Sequence, residues 1–228
     1  MVTTDPKFRT LGDRGLLVEL GEGISAEVNR RVQALFQLLE AAPIPGVLEA
    51  APAYRSLLVV YDPLVVSRAA LVRQIGALAR RAAGESPPPP RTVTVPVVYG
   101  GAQGPDLAEV SRLLGLPADE VVRRHSEAVY RVYMIGFTPG YPYMGELPAE
   151  LAVPRRSTPR TRVPKGSVGI AQRQTGIYPV DSPGGWQIIG WTPLELFDPR
   201  RQPPALLEMG DAVRFTPIGL EEAGRWRA

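Results

Sequence analysis

Across residues 130–192 the longest run free of both glycine and proline is six residues. No ordinary helix fits between such breaks, because proline fixes φ and removes a donor while glycine invites turns. What remains is a series of short strands, read here as 130–136, 167–171, 185–191 and 194–197, with a further one at 212–216. Many short strands punctuated this closely predict a compact β-barrel. The loops between them carry aromatics, arginines and glutamines, and shaped loops on a rigid scaffold are where binding sites form.

The 129 residues before this stretch are built differently. Residues 15–20 read as a strand. Ser25 is placed to cap a helix with Val28, Val32, Leu35, Phe36 and Leu39 on one face, stopped by Pro43 and Pro45. Residues 47–53 and 56–61 read as two strands joined by a tight turn. Ser67 starts a second helix with Leu71, Val72, Ile75, Leu78 and Ala79 inward and Gly84 beyond its end. Residues 92–98 alternate Thr and Val, with Pro96 marking an edge or a bulge. The order β-α-β-β-α-β is that of a ferredoxin-like split βαβ sandwich. Pro87 to Pro90 form a stiff spacer and the best boundary, so that the strand after it fits either side. Residues 104–124 read as two short helices bent at Gly115.

Composition narrows the chemistry. A chain of 228 residues, 44% hydrophobic and 21% charged, holds one large domain or two small ones. No apolar run approaches the ~20 residues a bilayer needs, so no membrane span is expected. The first residues lack the apolar core of a signal peptide, and the expected compartment is the cytoplasm. There is no cysteine and His125 is the single histidine, which leaves no thiolate nucleophile and no cysteine- or histidine-rich metal site. The 26 Lys and Arg exceed the 23 Asp and Glu by three, too small an excess to imply nucleic-acid binding.

Several motifs carry possible chemistry. The helix pair superficially resembles a DNA-reading helix-turn-helix, but Asp119 and Glu120 sit at its reading end and would repel phosphate. His125 is the candidate general base, against the alternative of a helix-end cap. GGAQGPD lacks the Lys and Ser/Thr of a phosphate loop. Arg160 and Arg162 are two apart between Pro159 and Pro164. In extended backbone they share a face and, with Lys165, could clamp a carboxylate or phosphate. GFTPGYPYMG sets Phe137, Tyr141 and Tyr143 on a turn shaped by Pro139, Gly140 and Pro142, where backbone N–H groups beside the glycines are candidate donors to a carbonyl. Gln172, Gln174 and Tyr178 add neutral groups suited to an amide or lactam, and Trp186 of SPGGW adds an aromatic wall.

GFTPGYPYMGELP, TPRTRVPKGSVGIA, QTGIYPVDSPGGWQIIGWTP and PAYRSLLVVYDP together resemble the KipI family, also called allophanate hydrolase subunit 1 or the B subunit of 5-oxoprolinase. The similarity runs over residues 12–215. It implies an α+β protein, with a small ferredoxin-like α/β domain over 1–86 and a cyclophilin-like β-barrel domain over 87–228. It also implies two partners, a KipA-like protein and a LamB/YcsF-like protein. With them the family opens the 5-oxoproline lactam to glutamate, using ATP with magnesium in the assembled complex and no cofactor held tightly by this chain. Related domains occur in urea carboxylase. Another family member inhibits autophosphorylation of a sensor histidine kinase, which gives the alternative of a regulatory binding protein. Homo-oligomerisation is left open. Glu146, Gln172 and Arg173 depart from the small residues usual at their positions.

A lactam is a stable amide, so its opening needs activation of the oxygen and then water. The chain lacks a full catalytic set for both steps. The expectation is half a site, with Arg160 or Arg162 taking the substrate carboxylate, and Gln174 and the amides near Gly140 taking the lactam.

Overall fold

Two serines begin the two long helices, as their positions require. Ser25 Oγ accepts from the Val28 amide at 3.1 Å and Ser67 Oγ from the Ala70 amide at 3.3 Å, each relieving an orphan donor of the first turn. The structure, a computed structural model, describes residues 5–84 and 89–226. Contacts divide the chain into two compact units, Met1–Pro89 and Pro90–Ala228. Of the proline spacer, Pro87 and Pro88 lie outside the described residues.

The first unit runs β1 (Lys7–Leu11), β2 (Gly15–Glu19), α1 (Ala26–Ala41), β3 (Val47–Pro52), β4 (Ser56–Tyr61) and α2 (Arg68–Ala83). Its sheet is antiparallel throughout, in the order β1-β2-β4-β3. β4 alternates half-buried and buried residues, which buries Leu57, Val59 and Tyr61, as Val32 and Leu35 of α1 and Leu71 and Ile75 of α2 are buried. The fold is ferredoxin-like, but one expected strand is replaced. The edge beside β2 is occupied by β1, which precedes it in a hairpin, and not by residues 92–98. Four of the five β1 residues are exposed, so the strand carries no alternating apolar signal.

That later strand opens the second unit as β5 (Thr92–Tyr99). After it come α3 (Leu107–Leu114), α4 (Ala118–Glu127), β6 (Val129–Ile135), β7 (Pro142–Gly145), β8 (Arg160–Val163), β9 (Ser167–Ala171), β10 (Gln174–Ile177), β11 (Ser182–Gly184), β12 (Gln187–Trp191), β13 (Ala212–Pro217) and α5 (Leu220–Ala223). Seven strands close a barrel in the order β10-β7-β6-β13-β5-β12-β9, and β8 and β11 form a separate two-stranded ribbon. Closure removes every open edge. Pro96 is therefore not on an edge strand. It is tolerated because β12 pairs with β5 only at Val98 and Tyr99, which leaves Pro96 beyond its reach.

Residues 194–197 are not a strand. They form a single bridge, Phe197 to Ala205, while Leu194 and Leu196 turn inward and plug the barrel core beside Leu207. Alternating burial here comes from a loop lying on the core, which imitates a strand in sequence. Helices α3 and α4 cover the barrel through Leu107, Val110 and Val121, and Gly115 makes the bend at φ +65°. Arg123 and Arg124 are tied to Glu120, and Arg123 also to Glu127, all on their own helix.

Candidate functional site

His125 is wholly buried inside the barrel unit, stacked on Phe215 at 4.6 Å. Its Nδ1 lies 2.7 Å from the Tyr99 hydroxyl and its Nε2 3.0 Å from Thr175 Oγ1. Thr175 spends its own proton on the Gly169 carbonyl at 3.1 Å, so it accepts from His125, which fixes the Nε2–H tautomer. Nδ1 then accepts from Tyr99. Burial pushes the imidazole down to about 3, so it is neutral at ordinary pH. An imidazole with both nitrogens bonded and no solvent access is a core residue. The general-base expectation does not fit this setting.

Arg160 is not a free cation. Its two terminal nitrogens grip Asp106 at 2.8 and 2.7 Å, and Arg156 Nη1 joins at 3.0 Å. The Ile188 amide donates to the same carboxylate at 2.7 Å. Asp106 is almost fully buried and thus fastens three pieces of chain together: the approach to α3, the β8 ribbon and β12. Arg162 pairs instead with exposed Asp181 at 2.6 Å, and Lys165 with Glu195 at 2.9 Å. The expected three-cation clamp is therefore divided among three different carboxylates, because each cation finds an acid distant in sequence.

The aromatics do converge. Tyr141 is their centre: it makes edge contacts with Phe137 at 5.6 Å, Tyr178 at 5.2 Å and Trp186 at 6.0 Å, and lies 4.9 Å from Tyr143. Tyr178 and Trp186 are buried, Tyr143 is half-buried, and Phe137 is exposed. The cluster packs on Val163 of β8 and Ile188 of β12, so the ribbon forms its cover. Gly184 of the ribbon crosses so near Tyr178 that a Cβ would stand 2.3 Å from its hydroxyl.

The turn carrying Phe137 is tightly specified. Phe137 has φ +67°, a region that bulky residues occupy only when their surroundings hold them there. The Thr138 amide bonds Gly136 O at 2.8 Å and the Tyr141 amide bonds Thr138 O at 3.1 Å, so both donors close the turn and are not offered to a ligand. Pro139 is exposed at the tip. Gly140 has φ +78°, and a Cβ there would lie 2.8 Å from that of Phe197. Gly140→Ala is expected to cost ~2–3 kcal/mol of stability, through the left-handed backbone and the clash together, read by urea denaturation.

Gln172 is exposed in the two-residue turn between β9 and β10, with φ +52°, and its amide bonds Val153 O. Gln174, half-buried, begins β10 opposite Ala171. Two of the unusual residues answer each other, since Arg173 pairs with Glu146 at 3.2 Å. Beneath the ribbon opens a cleft of about 250 Å³ to which Arg160 contributes, together with Ser167 and Trp191, which sequence reasoning missed. Among the described residues no group of three or more His, Asp and Glu gathers to hold a metal, and no helix is long and apolar enough to cross a membrane.

The sequence pattern of the carboxyltransferase domain, subdomains C and D, matches residues 6–207. The chain belongs to this family. It is 41% identical to the B subunit of 5-oxoprolinase from Bacillus subtilis (strain 168) over 227 residues, covering 95% of both chains. With the B subunit of 5-oxoprolinase from Escherichia coli O157:H7 it shares 44% identity, covering 91% of this chain and 94% of that one. The crystal structure of TTHA0988 superposes with a TM-score of 0.81 at 43% identity, over 90% of this chain but 40% of that one. The chain thus spans two fifths of that solved protein.

Proposed function

We propose that this chain is the B subunit of an ATP-dependent 5-oxoprolinase, a hydrolase component that helps open the 5-oxoproline lactam to L-glutamate. The observation that carries this reading is identity above 40% with two 5-oxoprolinase B subunits, over more than 90% of every chain compared. The kinase-regulator alternative finds no comparable support.

The glycine-rich loop over 100–106 does not fit ATP with magnesium. The 100–106 loop lacks a lysine and a hydroxyl, and its one acid, Asp106, is committed to two arginines. The nucleotide is assigned to the assembled complex, with a KipA-like protein and a LamB/YcsF-like protein as the partners, in the cytoplasm. This chain's share is positioning. The ribbon, fastened through Arg160 and Asp106, holds an aromatic wall and a small cleft on the barrel's outer face, where a substrate can be oriented and shielded from water.

Reconstitution tests the reading. Purified chain mixed with both partners is expected to release glutamate from 5-oxoproline only when ATP is present, and the chain alone to release none. Equal turnover by the isolated chain, or no turnover by the full assembly, would overturn it.

A further inference from the structure

We infer that the cleft beneath the β8–β11 ribbon binds a small carboxylate bearing a planar amide, held by Ser167, Gln103 and Arg160 against Trp191. The inference rests on the function proposed above for its choice of ligand and adds the place and the groups that hold it.

Ser167 is 3% exposed and lines the cleft, so it is fixed in the wall of the open space. A hydroxyl at the wall of a cleft can donate to, and accept from, a ligand that enters it. Gln103 lines the same space, and its carboxamide offers the donor and acceptor that complement another amide. Charge selects an anion: Arg156 and Arg160 share the single carboxylate of Asp106, which leaves one positive charge in excess. Arg160 gives Asp106 one N–H from each terminal nitrogen, so its remaining N–H groups stay available to the cleft it lines.

The walls select shape. Trp191 is held in place by its Nε1–H, which donates to the Lys165 carbonyl at 3.0 Å, so its ring offers a flat apolar face. Val163 and Ile188 close the floor and are themselves buried against the aromatic cluster. At ~30 Å³ of liquid per water, 250 Å³ is about eight waters, which suits a small ring with one carboxylate.

The test uses the full chain with ¹⁵N-labelled tryptophan, giving one indole signal for each of Trp186, Trp191 and Trp226, assigned through Trp191→Phe. Titration with L-5-oxoproline is expected to move the Trp191 signal saturably, with acetate and 2-pyrrolidinone each binding at least tenfold more weakly. Ser167→Val is expected to weaken binding about tenfold, the size of one lost hydrogen bond to a charged group, without moving the urea midpoint. A static Trp191 signal, or equal affinity in Ser167→Val, overturns the site, and acetate matching 5-oxoproline overturns its amide specificity. In the reconstituted assembly Ser167→Val is expected to raise KM about tenfold. Unchanged KM with normal turnover overturns the cleft and leaves the function standing. Saturable Trp191 shifts beside an assembly that opens no lactam overturn the function and leave the cleft standing.

Discussion

Asp106→Ala is expected to lower the unfolding free energy by ~3–5 kcal/mol, because it breaks a buried ion cluster by removing its only acid. The carboxylate accepts four hydrogen bonds, three from Arg156 and Arg160 and one from the Ile188 amide, while almost completely withdrawn from water. Removing it leaves two half-buried guanidiniums facing each other and a buried amide without an acceptor. Asp106 gives α3 no side-chain cap, so the loss cannot be assigned to helix fraying. Urea denaturation measures it, and the double variant Asp106→Leu/Arg160→Met is expected to recover part of the loss by removing a stranded charge. A cost below ~1 kcal/mol for Asp106→Ala would show that the hub does not hold the ribbon.

The second large effect is a loss of stability in acid that belongs to His125. Its pKa is depressed from 6.5 to about 3 in the folded state, so between those values the unfolded chain takes up a proton that the folded chain refuses. Stability is therefore complete above about pH 6.5 and falls as pH drops toward 3, by ~1.4 kcal/mol per unit. Glu120 and Asp198, each held at about 2 by hydrogen bonds from arginines, act in the same direction, but only below their ordinary values of 4.5 and 3.8. The interval from 6.5 to 4.5 thus isolates the histidine, and His125→Gln is expected to flatten it. Because the chain has one histidine, its imidazole proton signals need no assignment. They should not titrate between pH 8 and 5, and a midpoint near 6.5 would refute the buried neutral state.

What the sequence made legible was mostly local. Ser25 and Ser67 cap their helices through contacts three residues away, and strand 167–171 is a short run of small and apolar residues set between turn formers. The elements that escaped are those whose reasons lie elsewhere in the chain. β1 is an exposed edge, while β7, β8, β10 and β11 are three or four residues each and rich in Gly, Pro, Arg or Gln, defined by their partners and not by pattern. The site divides in the same way. Phe137, Tyr141 and Tyr143 share one turn that the sequence marks, whereas Tyr178 and Trp186 reach Tyr141 from 37 and 45 residues away. The fate of the arginines did not, because Asp106 lies 54 residues from Arg160 and 82 from Ile188. Nor does GGAQGPD signal that its aspartate is structural.

The barrel also imposes an order on its own making. Its first strand, β5, is paired along its whole inner length with the last, β13, the one parallel pair in the closed sheet, and Arg91 meets Asp211 across 120 residues. During synthesis β5 must wait, with an unpaired apolar flank, until nearly the entire chain has left the ribosome. The first unit finds all its sheet partners within residues 7–61 and can fold long before. A truncation that removes β13 would therefore do more than shorten the protein: it would leave the barrel an open sheet with two sticky edges.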